Sequence, residues 1–214
     1  MKRIISIILV LFLLPTFALA DLEAYFLDVG QGDSTLILCD GESMLIDGGP
    51  ASASDFLYTF LRQKTDHLDY MIATHPHEDH IGGLPAALNA VQTDLILSPV
   101  TSWDSKRFDA LLKYADAQGA PVIVPEEGDT LRLGGATVTV LHCWPEGQDW
   151  DINEMSIAVR VDYGETSFLF TGDAGDISEY MMIDSGLPLS ADVLQVGHHG
   201  SAYSTTSFDK KKML

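Results

Sequence analysis

The chain has 214 residues, with 31 Asp and Glu against 12 Lys and Arg and a formal charge of −19. Such a field opposes non-specific docking on nucleic acid or on an anionic membrane. Its only cysteines, Cys39 and Cys143, exclude a disulfide-stapled scaffold and a cysteine metal cluster, leaving one bridge or two buried thiols as the alternatives.

Residues 1–20 have the layout of a removable secretory leader. Lys2 and Arg3 open it, Ile4 to Leu14 form its apolar stretch, and Pro15 precedes the small-x-small run Ala18-Leu19-Ala20. The apolar stretch is shorter than the roughly 20 residues of a membrane span. Cleavage after Ala20 predicts a secreted or extracytoplasmic protein with no stable membrane span, and residues 21–214 as one domain. A domain of that size buries roughly 70% of its unfolded surface and needs no staples.

Ala24 to Val29 and Ser34 to Asp40 read as strands around Gly30-Gln31-Gly32-Asp33, and Ser43 to Asp47 as a third strand stopped by Gly48-Gly49-Pro50. Helical spacing of Phe56, Leu57, Phe60 and Leu61 predicts a helix over Ser54 to Arg62, with Ser52 or Ser54 as its cap. Leu68 to Ala73 is an apolar strand, followed by helices over Leu84 to Val91 and Ser105 to Gln118 with a strand at Asp94 to Val100 between them. Val122 to Pro125, Thr130 to Leu133 and Ala136 to Cys143 are strands, and Trp144 to Glu154 a polar loop. A hairpin pairs Ile157 to Asp162 with Thr166 to Phe170, a helix covers Ile177 to Ile183, and a last strand runs from Asp192 to Val196. Strands and helices in this order, without repeats, predict one layered domain with helices outside two packed sheets. Asp28, Asp47, His75, Asp173 and His198 each follow a strand end, the place where a sheet scaffold presents function.

His75-Pro76-His77-Glu78-Asp79-His80 concentrates three histidines and two carboxylates in six residues directly after a strand. His75 and His77 can turn into one pocket, and Asp79 and His80 follow closely enough to serve a second ion. Imidazole with carboxylate suits divalent zinc, manganese or iron. Glu78 occupies the variable position and is expected to face solvent, while Trp103, Trp144 and Trp150 read as partial core. Gly30, Gly32 and Ser34 can present donors to a phosphate, whereas a turn before glycine accounts equally well for Asp28.

These segments together resemble the metallo-β-lactamase fold hydrolases: HPHEDH matches their HxHxDH signature, the TGD of Asp173 their bridging-aspartate segment, and the strand before GHH their late histidine segment. DVGQGDS, LIDGG, NEMS, FLFTGD and VGHHGS further resemble the soluble domain of the ComEC-type DNA-uptake channel and its stand-alone secreted relatives. The resemblance implies an α+β fold, the αββα four-layer sandwich, and two divalent metal ions, zinc or manganese. One ion falls to His75 and His77, and the other to Asp79, His80 and a late histidine, with Asp173 bridging. His198 is preferred over His199 because it comes first after the strand, and His199 and Ser201 would then face substrate or pack nearby. Asp79 would also act catalytically by orienting water. Asp47 would support the histidine loop by fixing the tautomer of a ligand, as an imidazole N–H acceptor does, and Asp28 and Ser34 would stand behind the site or against substrate.

Two departures from the family pattern matter. Asn153 stands where many members carry a third histidine, which makes the first position poorer in nitrogen and favours manganese. His142 lies mid-strand and is expected to pack rather than ligate. After Ser201 the family pattern continues with further strands and a helix, so the chain reads as truncated at the C-terminus. The expected function is an exported metal-dependent phosphodiesterase or nuclease acting on a phosphoester, nucleic acid included. Lactam or thioester hydrolysis on the same fold and a non-catalytic metal-binding module are the alternatives.

Overall fold

The computed structural model describes residues 21–144, 151–202 and 204–205. The leader and Trp150 lie outside the described residues. In the first sheet β1 (Leu22–Phe26), β2 (Thr35–Cys39), β3 (Glu42–Ile46), β4 (His67–Ile72), β5 (Gln92–Leu97) and β6 (Val122–Ile123) lie side by side in sequence order. The first three are antiparallel and β3 to β6 are parallel. The second sheet runs β11 (Val193–Gln195), β10 (Thr166–Phe170), β9 (Ala158–Tyr163), β8 (Ala136–His142), β7 (Thr130–Leu133), with only the β10 and β11 pair parallel.

Alternation along the strands sets the layers. Ile37 and Cys39 of β2, Met44 and Ile46 of β3, Val138 and Val140 of β8 and Phe170 of β10 meet between the sheets. Their neighbours Leu36 and Leu45 turn the other way, onto α1 (Ser54–Lys64), α3 (Leu84–Ala90) and α4 (Lys106–Gln118). Leu169, one residue from Phe170, joins Met182 of α5 (Asp176–Ser185) on the outside of the second sheet. Strands buried on both faces read as continuous apolar runs because neither face meets water. The result is the expected αββα sandwich.

Helix ends follow local chemistry. The Ser105 hydroxyl accepts from the Arg107 and Phe108 amides, and Gly119, at φ 72°, ends α4 in the left-handed region. Neither Ser52 nor Ser54 caps α1. The chain enters that helix through a 3-10 turn at Ala51–Ala53 that has already set its direction. Among the described residues no helix is long and apolar enough to cross a membrane.

Both cysteines are free thiols, Cys39 in the layer between the sheets and Cys143 partly packed against it. Burial pushes the Cys143 thiol up to about 12 and raises Cys39 as well, which leaves both unreactive.

Two glycine pairs bring the loop after β3 against the loop after the histidine cluster. The Gly83 amide donates to Gly49 O at 2.9 Å and the Gly48 amide to His80 O at 2.7 Å. A Cβ at Gly83 would stand 2.1 Å from the Gly48 carbonyl oxygen. Gly83→Ala therefore forces the two loops apart. Overpacking of about 1–3 kcal/mol, or a Tm lower by roughly 3–10 °C, is expected in thermal melts of the metal-free protein.

Candidate metal centre

The site stands at the rim where β3, β4, β10 and β11 end. Asp47 follows β3 at φ 56°, its amide donating to Ile72 O at 2.8 Å. Its carboxylate is surrounded by donors: Thr74 N at 2.8 Å, the Thr74 hydroxyl at 2.7 Å and His80 Nδ1 at 2.8 Å. With Nδ1 directed at Asp47, His80 presents Nε2 towards Asp173 Oδ1, 3.2 Å away. Both atoms are shielded from solvent and neither has an aligned hydrogen-bond partner among the described residues. Burial opposes protonation of His80, yet Asp47 and Asp173 outweigh it and hold the imidazole well above its ordinary value. Nε2 and Asp173 Oδ1, shielded and facing each other off the hydrogen-bond axis, are spaced as two ligands of one cation would be.

His75 and His77 leave the end of β4. His75 Nε2 lies 3.0 Å from His77 Nδ1 and 3.7 Å from Asp173 Oδ2. The other face of the His75 ring, Nδ1, meets the hydroxyls of Thr74 at 3.2 Å and Ser156 at 3.4 Å. Burial, then the neighbouring His80 and His77, push His75 well below the ordinary imidazole range. It is held neutral, with a lone pair to offer. The Ser156 hydroxyl also accepts the Asp173 amide at 3.1 Å, which ties the β10 loop to the histidine loop.

Two sets of side chains converge. One ligand atom from each of His75, His77 and Asp173 lies within 4.8 Å of the others, and the same holds for Asp33, His80, Asp173 and His199. Asp173 belongs to both. Imidazole and carboxylate in these proportions fit divalent ions of the zinc or manganese kind, and the shielded oxygens of Asp33 and Asp173 that accept no hydrogen bond among the described residues fit the same reading. Burial alone would raise the Asp173 carboxyl, but His80, His199 and His198 around it hold it below the ordinary range. Asp33, with burial and then Asp47 acting on it, is pushed up to about 6.

The late histidines sit on a strained turn, His198 at φ 49° and His199 at φ 53°, a region that costs a side-chain-bearing residue of order 1 kcal/mol or more. The turn is strapped down by His198 N to Gly172 O at 3.0 Å, the Ser204 hydroxyl to Gly197 O at 2.6 Å and Gly197 N to the Thr205 hydroxyl at 3.1 Å. His199 Nε2 lies 3.5 Å from Asp173 Oδ2 and 3.3 Å from Asp79 Oδ2. His198 Nε2 lies 3.7 Å from Asp173 Oδ2. Both rings therefore reach the shared aspartate, but His199 rather than the preferred His198 completes the group with His80.

The remaining expected residues divide clearly. Asp79 stands beside His199, partly exposed and outside the four-membered group. Asn153 lines a cleft of about 230 Å³ together with Asp173, His198, Asp151 and Asp176, its Oδ1 shielded and without a hydrogen-bond partner among the described residues. Ser34 does not face substrate: it is buried, and its hydroxyl donates to Asp47 O at 3.1 Å, because the loop folds inward at that point. That corrects the reading of its hydroxyl as a phosphate donor. Asp28 is exposed and accepts the Gly30 amide at 3.3 Å, the behaviour of a turn residue. Ser201 gives its amide to His198 O at 2.9 Å and so closes the histidine turn. His142 is buried with Nε2 3.0 Å from Glu154 O, a packed histidine as expected. Trp144 is core, Trp103 packs at its margin, and Glu78 is exposed. Asp33 escaped the sequence reading, although its place in the Gly-Gln-Gly-Asp turn between two strands is itself a signal.

Helices outside two packed sheets, with imidazoles and carboxylates gathered on a shared aspartate at one rim, define a class of metal-binding αββα proteins. The chain belongs to the Metallo-beta-lactamase superfamily, whose family model matches residues 27–214. It is 28% identical to ComE operon protein 3 of Bacillus subtilis over 94% of this chain and 28% of that protein. With Recombination protein 2 of Haemophilus influenzae it shares 29% identity over 85% of this chain and 22% of that one. The chain thus spans roughly a quarter of the length of these curated relatives. Among solved structures, CmlA, a diiron beta-hydroxylase from Streptomyces venezuelae, shares the fold with a TM-score of 0.54 and 21% identity, over 83% of this chain and 34% of that one.

Proposed function

We propose that the protein is an exported phosphodiesterase, with nucleic acid the favoured substrate class. The observation that carries this is Asp173, one carboxylate common to two converging ligand sets. Two divalent ions, when bound, supply Lewis acidity to a phosphoryl group and make water a usable nucleophile at neutral pH.

The chain's own residues do the rest. His75, His77 and Asp173 would hold the first ion, and His80, His199 and Asp173 the second, with Asp79 at hand. Asp47 keeps the His80 tautomer, and Ser156 and Thr74 steady His75, so that the ligands are aligned before an ion arrives. Asp79, partly exposed beside His199, would orient an incoming water and accept its proton. The cleft by Asn153 and His198 opens directly onto Asp173 and gives one arm of a substrate room to lie. The name of one relative, Recombination protein 2, supports nucleic acid. The −19 charge makes bound ions the necessary counterweight for a polyanion.

Purified protein loaded with Mn2+ or Zn2+ is expected to hydrolyse bis-p-nitrophenyl phosphate and single-stranded DNA, and to leave nitrocefin intact. Failure on both phosphodiesters overturns the proposal, and brisk nitrocefin turnover replaces it with lactam hydrolysis. Export is checked by expressing the chain with residues 1–20 and sequencing the N-terminus of the extracytoplasmic product, expected to begin at Asp21.

A further inference from the structure

We propose that Asp33 is a carboxylate ligand of the second ion position, alongside His80, Asp173 and His199. The inference rests on the two-ion reading above and adds a residue to it from a different part of the chain.

The loop between β1 and β2 is held against the site along its length. Leu27 N donates to Ser34 O at 2.9 Å, closing the loop, and Gly49 N donates to Asp33 O at 2.8 Å, docking it on the turn after β3. Gly32 takes φ 134°, and a Cβ there would stand 2.2 Å from Asp79 O and 2.9 Å from Pro50 Cδ. Only glycine allows the loop to lie this close to the segment carrying Asp79 and His80. The consequence is the placement of Asp33, whose Oδ1 lies 3.5 Å from His199 Nδ1.

The second oxygen decides the role. Asp33 Oδ2 is shielded from solvent and has no hydrogen-bond partner among the described residues. A carboxylate that only held the loop together would place both oxygens on donors, as Asp47 does with Thr74 and His80. Leaving such an atom unpaired costs about 1–3 kcal/mol, more when it is charged. Four donors around one ion at roughly 2.0–2.2 Å would stand about 3.3–3.6 Å apart, and the ligand atoms of Asp33, His80, Asp173 and His199 lie within 4.8 Å of one another. A cation is the partner that this geometry lacks. Two carboxylates with two imidazoles also make this position harder in its ligand preference than the one at His75 and His77.

Metal content after equilibrium dialysis against Mn2+ or Zn2+ provides the test. Wild type is expected to carry two ions per chain. Asp33→Asn should keep one and bind the other at least about tenfold more weakly, while the metal-free variant melts no lower than metal-free wild type because the shielded oxygen no longer carries a charge without a hydrogen bond. Asp33→Cys loaded with Co2+ should show a thiolate-to-cobalt charge-transfer band in the near ultraviolet that wild type lacks, a signal no purely structural role would produce. An Asp33→Asn protein that binds both ions with wild-type affinity, or an Asp33→Cys protein without the band, overturns the assignment and leaves the two-ion reading standing. Wild type that binds no ion overturns both.

Discussion

On the proposed reading, Asp173→Ala is expected to slow phosphodiester hydrolysis about a thousandfold and to strip metal from both positions. Among the described residues Asp173 is the one carboxylate within reach of His75 at 3.7 Å, His80 at 3.2 Å, His198 at 3.7 Å and His199 at 3.5 Å. Its loss removes the atom that couples the two ligand sets, and with it several kcal/mol of charge stabilisation at the reacting centre. Each 1.36 kcal/mol is a factor of ten in rate, so about 4 kcal/mol gives the thousandfold figure. Asp173→Asn separates charge from shape: it keeps the volume and one acceptor, and should lose most activity while folding normally. Metal analysis of both variants beside their rates on bis-p-nitrophenyl phosphate checks the result. Two ions retained by Asp173→Ala would show that the aspartate is not shared.

Asp47→Ala is expected to act through both stability and metal binding. Its carboxylate receives the Thr74 amide, the Thr74 hydroxyl and His80 Nδ1, all buried. Alanine orphans those donors together, at about 1–3 kcal/mol for each shielded group that finds no water, so a loss of roughly 3 kcal/mol is expected in urea unfolding. His80 then loses the acceptor that fixes its tautomer, and affinity for the second ion should fall about 10-fold to 100-fold. Asp47→Asn refines this: the amide can still accept from Thr74, so stability recovers more than metal affinity. If Asp47→Ala bound metal as tightly as wild type, the role assigned to Asp47 would be wrong.

Much of the scaffold can be read from the sequence because its strands are buried on one or both faces. Ile37 and Cys39 against Leu36, or Phe168 and Phe170 against Leu169, alternate in the chain as they alternate between layers. The Ser105 cap and the Gly119 stop are likewise local signals that the fold obeys. Signals of lower information content failed. Ser52 and Ser54 look like caps, but a turn at Ala51–Ala53 makes them unnecessary. The Ser34 hydroxyl looks available to a ligand, but the loop turns it inward to Asp47 O.

The site follows the same division. His75, His77, Asp79 and His80 lie within six residues, so their chemistry is visible before any folding, and Asp173 and His198-His199 are marked by the strand ends before them. By itself the sequence determined a cluster of residues able to bind metal and the two-sheet scaffold that carries it, since both depend on residue type and on short-range periodicity. Only the tertiary structure decided that Asp33 joins His80 and Asp173, that His199 completes that group, and that Asp47 holds His80 in place. Those relations link segments tens of residues apart. They depend on backbone torsions such as the left-handed His198 and His199, and on a glycine pressed against Asp79 O, which no pattern of polar and apolar residues records.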